Sequence, residues 1–180
     1  MKVIGFAGYS GVGKTTLVEA LVALLRQRGL KVSVVKHAHH LFDVDREGKD
    51  SWRHRQAGAY EVLLASERRM ALMREHEQPL ELGVHDMLAQ LDPGVDWVLV
   101  EGFKHGDMPK IEVWRLQQDR LAKGKTIDPL YPHDARVLAV ATDAARDLPQ
   151  APSQPVLDLN RPQAVLQWLL DRADSLEYKN

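Results

Sequence analysis

Cysteine is absent from the 180 residues. With it go disulfides, zinc–thiolate sites, iron–sulfur clusters and a cysteine nucleophile, and the absence fits a reducing compartment. No apolar run approaches the roughly 18–20 residues of a membrane-spanning helix. The stretch Met1-Lys2-Val3-Ile4-Gly5-Phe6-Ala7 carries one cation and leads into glycines and a lysine, so it reads as a strand entering a loop rather than a secretory signal. Neither charge sign dominates: 24 Lys and Arg face 25 Asp and Glu, for a net charge of −1. That balance gives no general attraction to nucleic acid or to an anionic membrane, although it leaves room for a local basic patch. Repeats and low-complexity tracts are also lacking. The expectation is a cytoplasmic protein with neither nucleic acid nor membrane as partner.

What is present is globular. Hydrophobic residues make up 44% and charged residues 27%, which excludes global disorder. The length suits one domain, residues 1–180, able to bury about 70% of its unfolded surface. Residues 3–7 form a short β-branched run that predicts a buried strand. Residues 15–28 predict a helix, with Leu17, Leu21, Leu24 and Leu25 on one face and Gly29 as its C-terminal stop. Residues 32–35 are a second buried strand. Strand, helix and strand in so short a span make a βαβ unit with parallel pairing and a right-handed crossover.

Further on, the pattern predicts a helix from Asp50 to Ala57 and a hairpin of residues 60–65 and 70–74 about Ser66-Glu67-Arg68-Arg69. It also predicts a helix over 79–91 and strands at 97–100, 111–116 and 137–141. Residues 117–134 have no period and read as a mobile loop. Pro149, Pro152 and Pro155 read as a stiff linker, and Asn160 as the cap of a last helix that buries Leu166, Leu169 and Leu170. Strands alternating with helices give an α/β three-layer fold, a mostly parallel sheet with an added antiparallel hairpin.

Gly8-Tyr9-Ser10-Gly11-Val12-Gly13-Lys14-Thr15 fits G-x-x-x-x-G-K-[ST], the phosphate-binding P-loop, between a strand and an amphipathic helix. The glycines let backbone N–H groups curl around a phosphate, and the helix N-terminus adds free donors and a positive dipole end. Lys14 would face the β- and γ-phosphates, and Thr15, followed by Thr16, would offer its hydroxyl to Mg²⁺. The site predicted to hold nucleotide is therefore Gly8, Ser10, Gly11, Val12, Gly13, Lys14, Thr15 and Thr16.

A P-loop also needs a carboxylate near the metal. Four apolar residues deliver Glu101 to the carboxyl edge of the sheet, where Asp is usual. Lys14 and Glu101 are the expected catalytic pair, and Thr15, Glu101 and Asp45 the expected metal shell, with Asp45 ahead of Asp43. His37, His39 and His40 leave the same edge and suit either a loop near the nucleotide or a transition-metal site. Lys36, Arg46, Lys49, Arg53 and Arg55 form a cationic cluster, interleaved with acids, that would suit a second anion or plain solvent. The common guanine reader Asn/Thr-Lys-x-Asp is missing. Thr142-Asp143 at the end of the strand 137–141 stands in for it, but residue chemistry alone does not choose between guanine and adenine.

Together these blocks resemble the molybdopterin-guanine dinucleotide biosynthesis adaptor protein B (MobB) family. The likeness rests on the segments 8–16, Lys36-His37-Ala38-His39-His40, Gly48-Lys49-Asp50-Ser51, Val100-Glu101-Gly102-Phe103-Lys104-His105, Pro109-Lys110-Ile111-Glu112 and Val140-Ala141-Thr142-Asp143. The resemblance implies a homodimer of the P-loop GTPase superfamily that binds GTP with Mg²⁺ and hydrolyses it feebly. It also implies a partner, the guanylyltransferase that joins GMP to the molybdenum-bound pterin. Residues 117–132 match no block of the family. Two other readings of the same P-loop are a small-molecule kinase, with Arg120, Lys123 and Lys125 on a lid, and a GTP-dependent metallochaperone built on the three histidines.

Overall fold

The computed structural model describes residues 1–38, 42–116 and 128–179. Two compact units make up the chain, one of residues 1–37 with 83–180 and one of residues 38–82.

The larger unit is built on a six-stranded sheet. In chain order its strands are β1 (Lys2–Ala7), β2 (Val32–Lys36), β5 (Trp97–Glu101), β6 (Lys110–Trp114), β7 (Val137–Thr142) and β8 (Val156–Asp158). They lie in the order β2-β5-β1-β6-β7-β8, with every pairing parallel. The chain leaves β1 toward β2 and β5 on one side, then crosses to β6 and beyond on the other. The strand order therefore reverses at β1, and in open α/β sheets ligands bind outside the carboxyl ends of the strands at such a switch point.

Alternation along the strands makes the two faces. Ile4, Phe6, Leu99, Ile111 and Val113 point toward α1 (Lys14–Gln27) and the C-terminal helix α4 (Pro162–Leu170). Those helices return Leu17, Val18, Leu21, Leu25, Val165, Leu166 and Leu169 to the same core. Leu170 is only half-buried, and Leu24 packs at the margin. On the opposite face, Val3, Val98 and Val100 meet Val84 and Leu88 of α3 (Val84–Leu88). Farther along that face Trp114 and Val140 meet Leu130 and Tyr131.

Four expectations need correction. The helix over 79–91 shrinks to Val84–Leu88. The Asp86 carboxylate accepts the Gly83 N–H at 2.9 Å, which fixes the start at residue 84, and Pro79 and Gly83 suit the extended approach before it. The stretch after the prolines is not only a linker, because Val156–Asp158 pairs with β7 as an edge strand too short to show a period. The last helix takes Arg161, not Asn160, as its N-cap. Of the loop 117–134, residues 117–127 lie outside the described residues, but 128–134 are tied down. The Glu112 carboxylate accepts the Leu130 and Tyr131 N–H groups at 2.8 Å, and the Tyr131 hydroxyl donates to Gln150 O at 2.7 Å.

The smaller unit holds α2 (Asp50–Gln56) and the antiparallel hairpin of β3 (Glu61–Ala65) and β4 (Met70–Arg74). The predicted turn closes the hairpin, with Ser66 N donating to Arg69 O at 2.8 Å. Arg55 is the hub of this unit. It pairs with Asp43 at 3.0 Å, Asp45 at 3.2 Å and Glu75 at 2.7 Å. It is therefore committed to carboxylates and does not stand in the cationic cluster as a free charge.

Candidate nucleotide site at the carboxyl end of β1

The loop after β1 is shaped by Gly8, whose φ is +136°. A Cβ at that position would lie 2.2 Å from Val113 O, so no other residue lets the chain turn here against β6. Val12 is buried and anchors the loop, while Ser10, Gly11 and Thr16 are exposed at its mouth. The Lys14 ammonium folds back across the loop and donates to Gly8 O at 2.9 Å and Tyr9 O at 2.7 Å. Burial lowers its pKa, Glu101 opposes that shift, and Lys36 adds to it.

Register decides what sits beside the loop. Glu101 is aligned with Phe6 of β1 on one side and with Lys36 of β2 on the other. Its carboxylate accepts the Thr15 hydroxyl at 2.7 Å, and Lys36 Nζ stands 3.5 Å from the same oxygen. The structure thus joins Thr15 of the motif to Glu101 from 86 residues away. It adds Lys36 to the pair.

The chain turns sharply after Glu101. Gly102 has φ +105° and Phe103, unusually for an aromatic residue, φ +47°. A Cβ on Gly102 would come within 3.0 Å of His37 Cβ. That close approach lets the His37 ring stack on Phe103 at 4.5 Å. Lys104 Nζ lies 4.5 Å from the centre of the Tyr9 ring. His39 and His40 lie outside the described residues. Among the described residues no three His, Cys, Asp or Glu side chains converge where a metal ion would sit.

On the other side of β1, Thr142 is buried and its hydroxyl accepts the Ala144 N–H at 3.1 Å. Asp143 is exposed and pairs with Arg115 Nε at 2.8 Å. Asp45 belongs to the smaller unit, where its carboxylate accepts the Ser51 hydroxyl at 2.8 Å and the Arg46 N–H at 2.9 Å besides pairing with Arg55. Burial works to raise its pKa, but these partners outweigh burial and lower it.

Sequence reasoning gave no role to three charged residues that the structure places around the site. Lys110 is fully buried and donates to Lys104 O at 3.2 Å, Gly106 O at 2.6 Å and Asp134 at 2.9 Å. It thereby ties the turn after Glu101 to β6. Glu112 is buried too, and burial raises its pKa against the bonds from Leu130 and Tyr131. The third is Arg115. Charged residues at alternate positions of the otherwise apolar run Lys110-Ile111-Glu112-Val113-Trp114 were the available signal.

The residues present suit a magnesium–nucleoside triphosphate. A hydroxyl and a carboxylate already meet at 2.7 Å, a hard-oxygen pair of the kind Mg²⁺ takes. The N-terminus of a 14-residue helix opens beside them, and an ammonium lies across the loop. Thr15 and Glu101 would hold the ion, which when bound would supply positive charge against the phosphates.

Comparison with known proteins agrees with this architecture. The sequence model of the family described as "Molybdopterin guanine dinucleotide synthesis protein B" matches residues 3–143. The molybdopterin-guanine dinucleotide biosynthesis adapter protein of Haemophilus influenzae is 45% identical over 160 residues, spanning 88% of this chain and 82% of that protein. The adapter protein of Escherichia coli is 36% identical over 169 residues, spanning 93% and 91%. The crystal structure of a MobB homologue from Bacillus stearothermophilus superposes with a TM-score of 0.69 at 27% identity, covering 97% of this chain and 99% of that one. The family match over residues 3–143 and two relatives at 45% and 36% identity across most of both lengths place this chain in the MobB family of P-loop proteins.

Proposed function

We propose that the protein is a GTP-binding adapter of molybdopterin guanine dinucleotide biosynthesis. It assists a partner guanylyltransferase in joining GMP to the pterin and hydrolyses GTP slowly. The observation that carries the nucleotide part is the junction of Thr15 and Glu101 at 2.7 Å beside the P-loop. The names of the Haemophilus and Escherichia relatives support the pathway. Lys14 contacts the terminal phosphates, the loop amides and Thr16 cradle the chain of phosphates, and Thr15 and Glu101 hold Mg²⁺. Thr142 and Asp143 face the base. Asp45 is the second acidic candidate for the metal and would have to release Arg55 and Ser51 to serve.

The working form is a homodimer in the cytoplasm. No helix among the described residues is long and apolar enough to cross a membrane. Leu63, Met70 and Leu72 are 60%, 73% and 49% exposed on a two-stranded hairpin. Such a surface calls for cover, and a second copy supplies it. Lys49 and Arg53, exposed on or beside α2, are the charges offered to the partner enzyme or its pterin phosphate.

Calorimetric titration with GTP and ATP, with and without Mg²⁺, tests the nucleotide reading. GTP should bind more tightly than ATP, and Mg²⁺ should strengthen it. Equal affinity for the two nucleotides would refute the guanine assignment, and binding of neither would refute the nucleotide site.

A further inference from the structure

The two sides of the carboxyl end of β1 carry different chemistry. Thr15, Glu101 and Lys36 mark one side, toward β5 and β2. A nucleotide whose terminal phosphates and metal lie there must run its sugar and base the other way, over the ends of β6, β7 and β8. The groups met in that direction are Arg115 just after β6, Asp143 just after β7 and Leu159 just after β8.

Arg115 is held in a particular way. Asp143 Oδ2 lies 2.8 Å from Nε as an ion pair whose angle makes no hydrogen bond at that nitrogen, and the two side chains stay 39% and 31% exposed. Its Nη1 end lies against the last glycine of the P-loop. A Cβ built on Gly13 would stand 3.5 Å from Nη1, 3.7 Å from Cζ and 3.8 Å from Leu159 Cδ2. Leu159 is pinned in turn by its N–H bond to Thr142 O at 3.0 Å. A planar cation is thus clamped between the P-loop, the β8 end and a carboxylate, with part of its surface open to solvent. A cation at a helix N-terminus is unfavourable by itself. Asp143 offsets that cost, and the resulting neutral pair makes a poor phosphate anchor. It makes a good platform, because a guanidinium stacks on aromatic planes.

We propose that Arg115 is a nucleobase-contacting residue, a planar shelf on which the purine stacks, and that its ion pair with Asp143 holds that carboxylate at the edge of the base. The proposal rests on the nucleotide reading above and adds a determinant of base binding that no P-loop motif contains.

The test compares GTP with inorganic triphosphate, which has phosphates and no base, by calorimetry in the presence of Mg²⁺. Wild type, Arg115→Ala and Arg115→Lys are used, each first checked for folding by circular dichroism. Arg115→Ala should weaken GTP about tenfold, the size of one stacking contact, and change triphosphate by less than about twofold. Arg115→Lys keeps the charge without the plane and should recover only part of the loss, and it carries the test if the alanine variant fails to fold. Equal losses for GTP and triphosphate would make Arg115 a phosphate contact and overturn the shelf. Unchanged GTP affinity in either folded variant would overturn it as well. Wild type that binds neither ligand would instead refute the nucleotide site on which the proposal rests, an outcome distinct from the others.

Discussion

Lys14 and Glu101 do different work at one site, and their variants separate it. Lys14 spends its hydrogen bonds on Gly8 O and Tyr9 O, carbonyls of the loop it would leave for phosphate. Lys14→Ala should weaken GTP by tenfold or more, since a charge-assisted contact is worth about 1.5–3 kcal/mol. The melting temperature should hardly move, and unchanged GTP affinity in the folded variant would remove Lys14 from the site. Glu101→Gln keeps an acceptor for Thr15 but removes the charge shared with Lys36. Single-turnover hydrolysis should fall by more than GTP affinity does. Equal hydrolysis rates in wild type and variant would contradict a catalytic role. Lys110 acts through structure instead. Lys110→Met strands Asp134 and two backbone carbonyls, and should cost roughly 3–5 kcal/mol in denaturant unfolding. Adding Asp134→Asn to Lys110→Met should cost much less than Asp134→Asn alone, and simple additivity would show that the pair is not coupled.

At the scale of elements, the contact between β6 and the segment 128–134 carries opposed titrations, of Glu112 on the strand and Asp134 on the segment. Burial works to raise the Asp134 pKa, but the bond from Lys110 and the Arg136 N–H outweigh it and hold it below the ordinary 3.8. Its stabilisation is therefore full above that value and is lost as pH falls through the lowered one. Glu112 is raised above 4.5, chiefly by burial, so its protonated form favours the fold. Stability from that group declines as pH rises from 4.5 through the raised pKa. The stability gap between wild type and Asp134→Asn, measured by urea unfolding, should shrink as pH drops through the Asp134 value. A gap independent of pH would refute the ion pair's contribution. The hairpin is the other element with a testable surface. Leu63 pairs with Leu72 and Ala65 with Met70 on one face, while buried Val62 and half-buried Met73 pair on the other. Sedimentation equilibrium should give twice the 20.3 kDa chain mass, and Leu72→Glu should lower it toward the monomer while leaving GTP binding intact. A 20.3 kDa species alone at micromolar wild type would refute the dimer.

At the scale of the whole molecule, the chain is continuous through two compact units, and its polar segments divide between them. Residues 38–82 are held by Arg55 and its three carboxylates, while the sheet unit is held by an apolar core on both faces. Burial of hydrocarbon stabilises the sheet unit at any ordinary pH. The Arg55 network depends on ionised Asp43 and Asp45. A bond from the Asp45 N–H and another from Arg55 lower the Asp43 pKa below its ordinary value, and the partners of Asp45 lower its pKa against burial. Both contributions are present above the ordinary aspartate range and are lost as pH falls through the lowered values.

The sequence by itself determined the parts whose signal is local. The P-loop is contiguous, and its glycines and lysine have no better use than phosphate. The apolar strands announced themselves by composition, and α1 by its period and its glycine stop. The hairpin showed in two runs around a polar turn. Short or irregular pieces escaped. Three-residue β8 carries no period, and a few polar residues around Val84–Leu88 blurred where that helix begins. Tertiary structure alone decided the rest, because it depends on register and strand order rather than on neighbours in the chain. Nothing in the sequence says that β5 lies between β1 and β2, yet that order brings Glu101 to Thr15 and Lys36. Nor does local sequence say that β6, β7 and β8 end side by side, which clamps Arg115 between Asp143, Gly13 and Leu159. Lys110 and Glu112 have partners far along the chain, Asp134 for the one and the amides of Leu130 and Tyr131 for the other. A buried charge persists only where such partners are brought to it, and the fold, not the sequence neighbours, brings them.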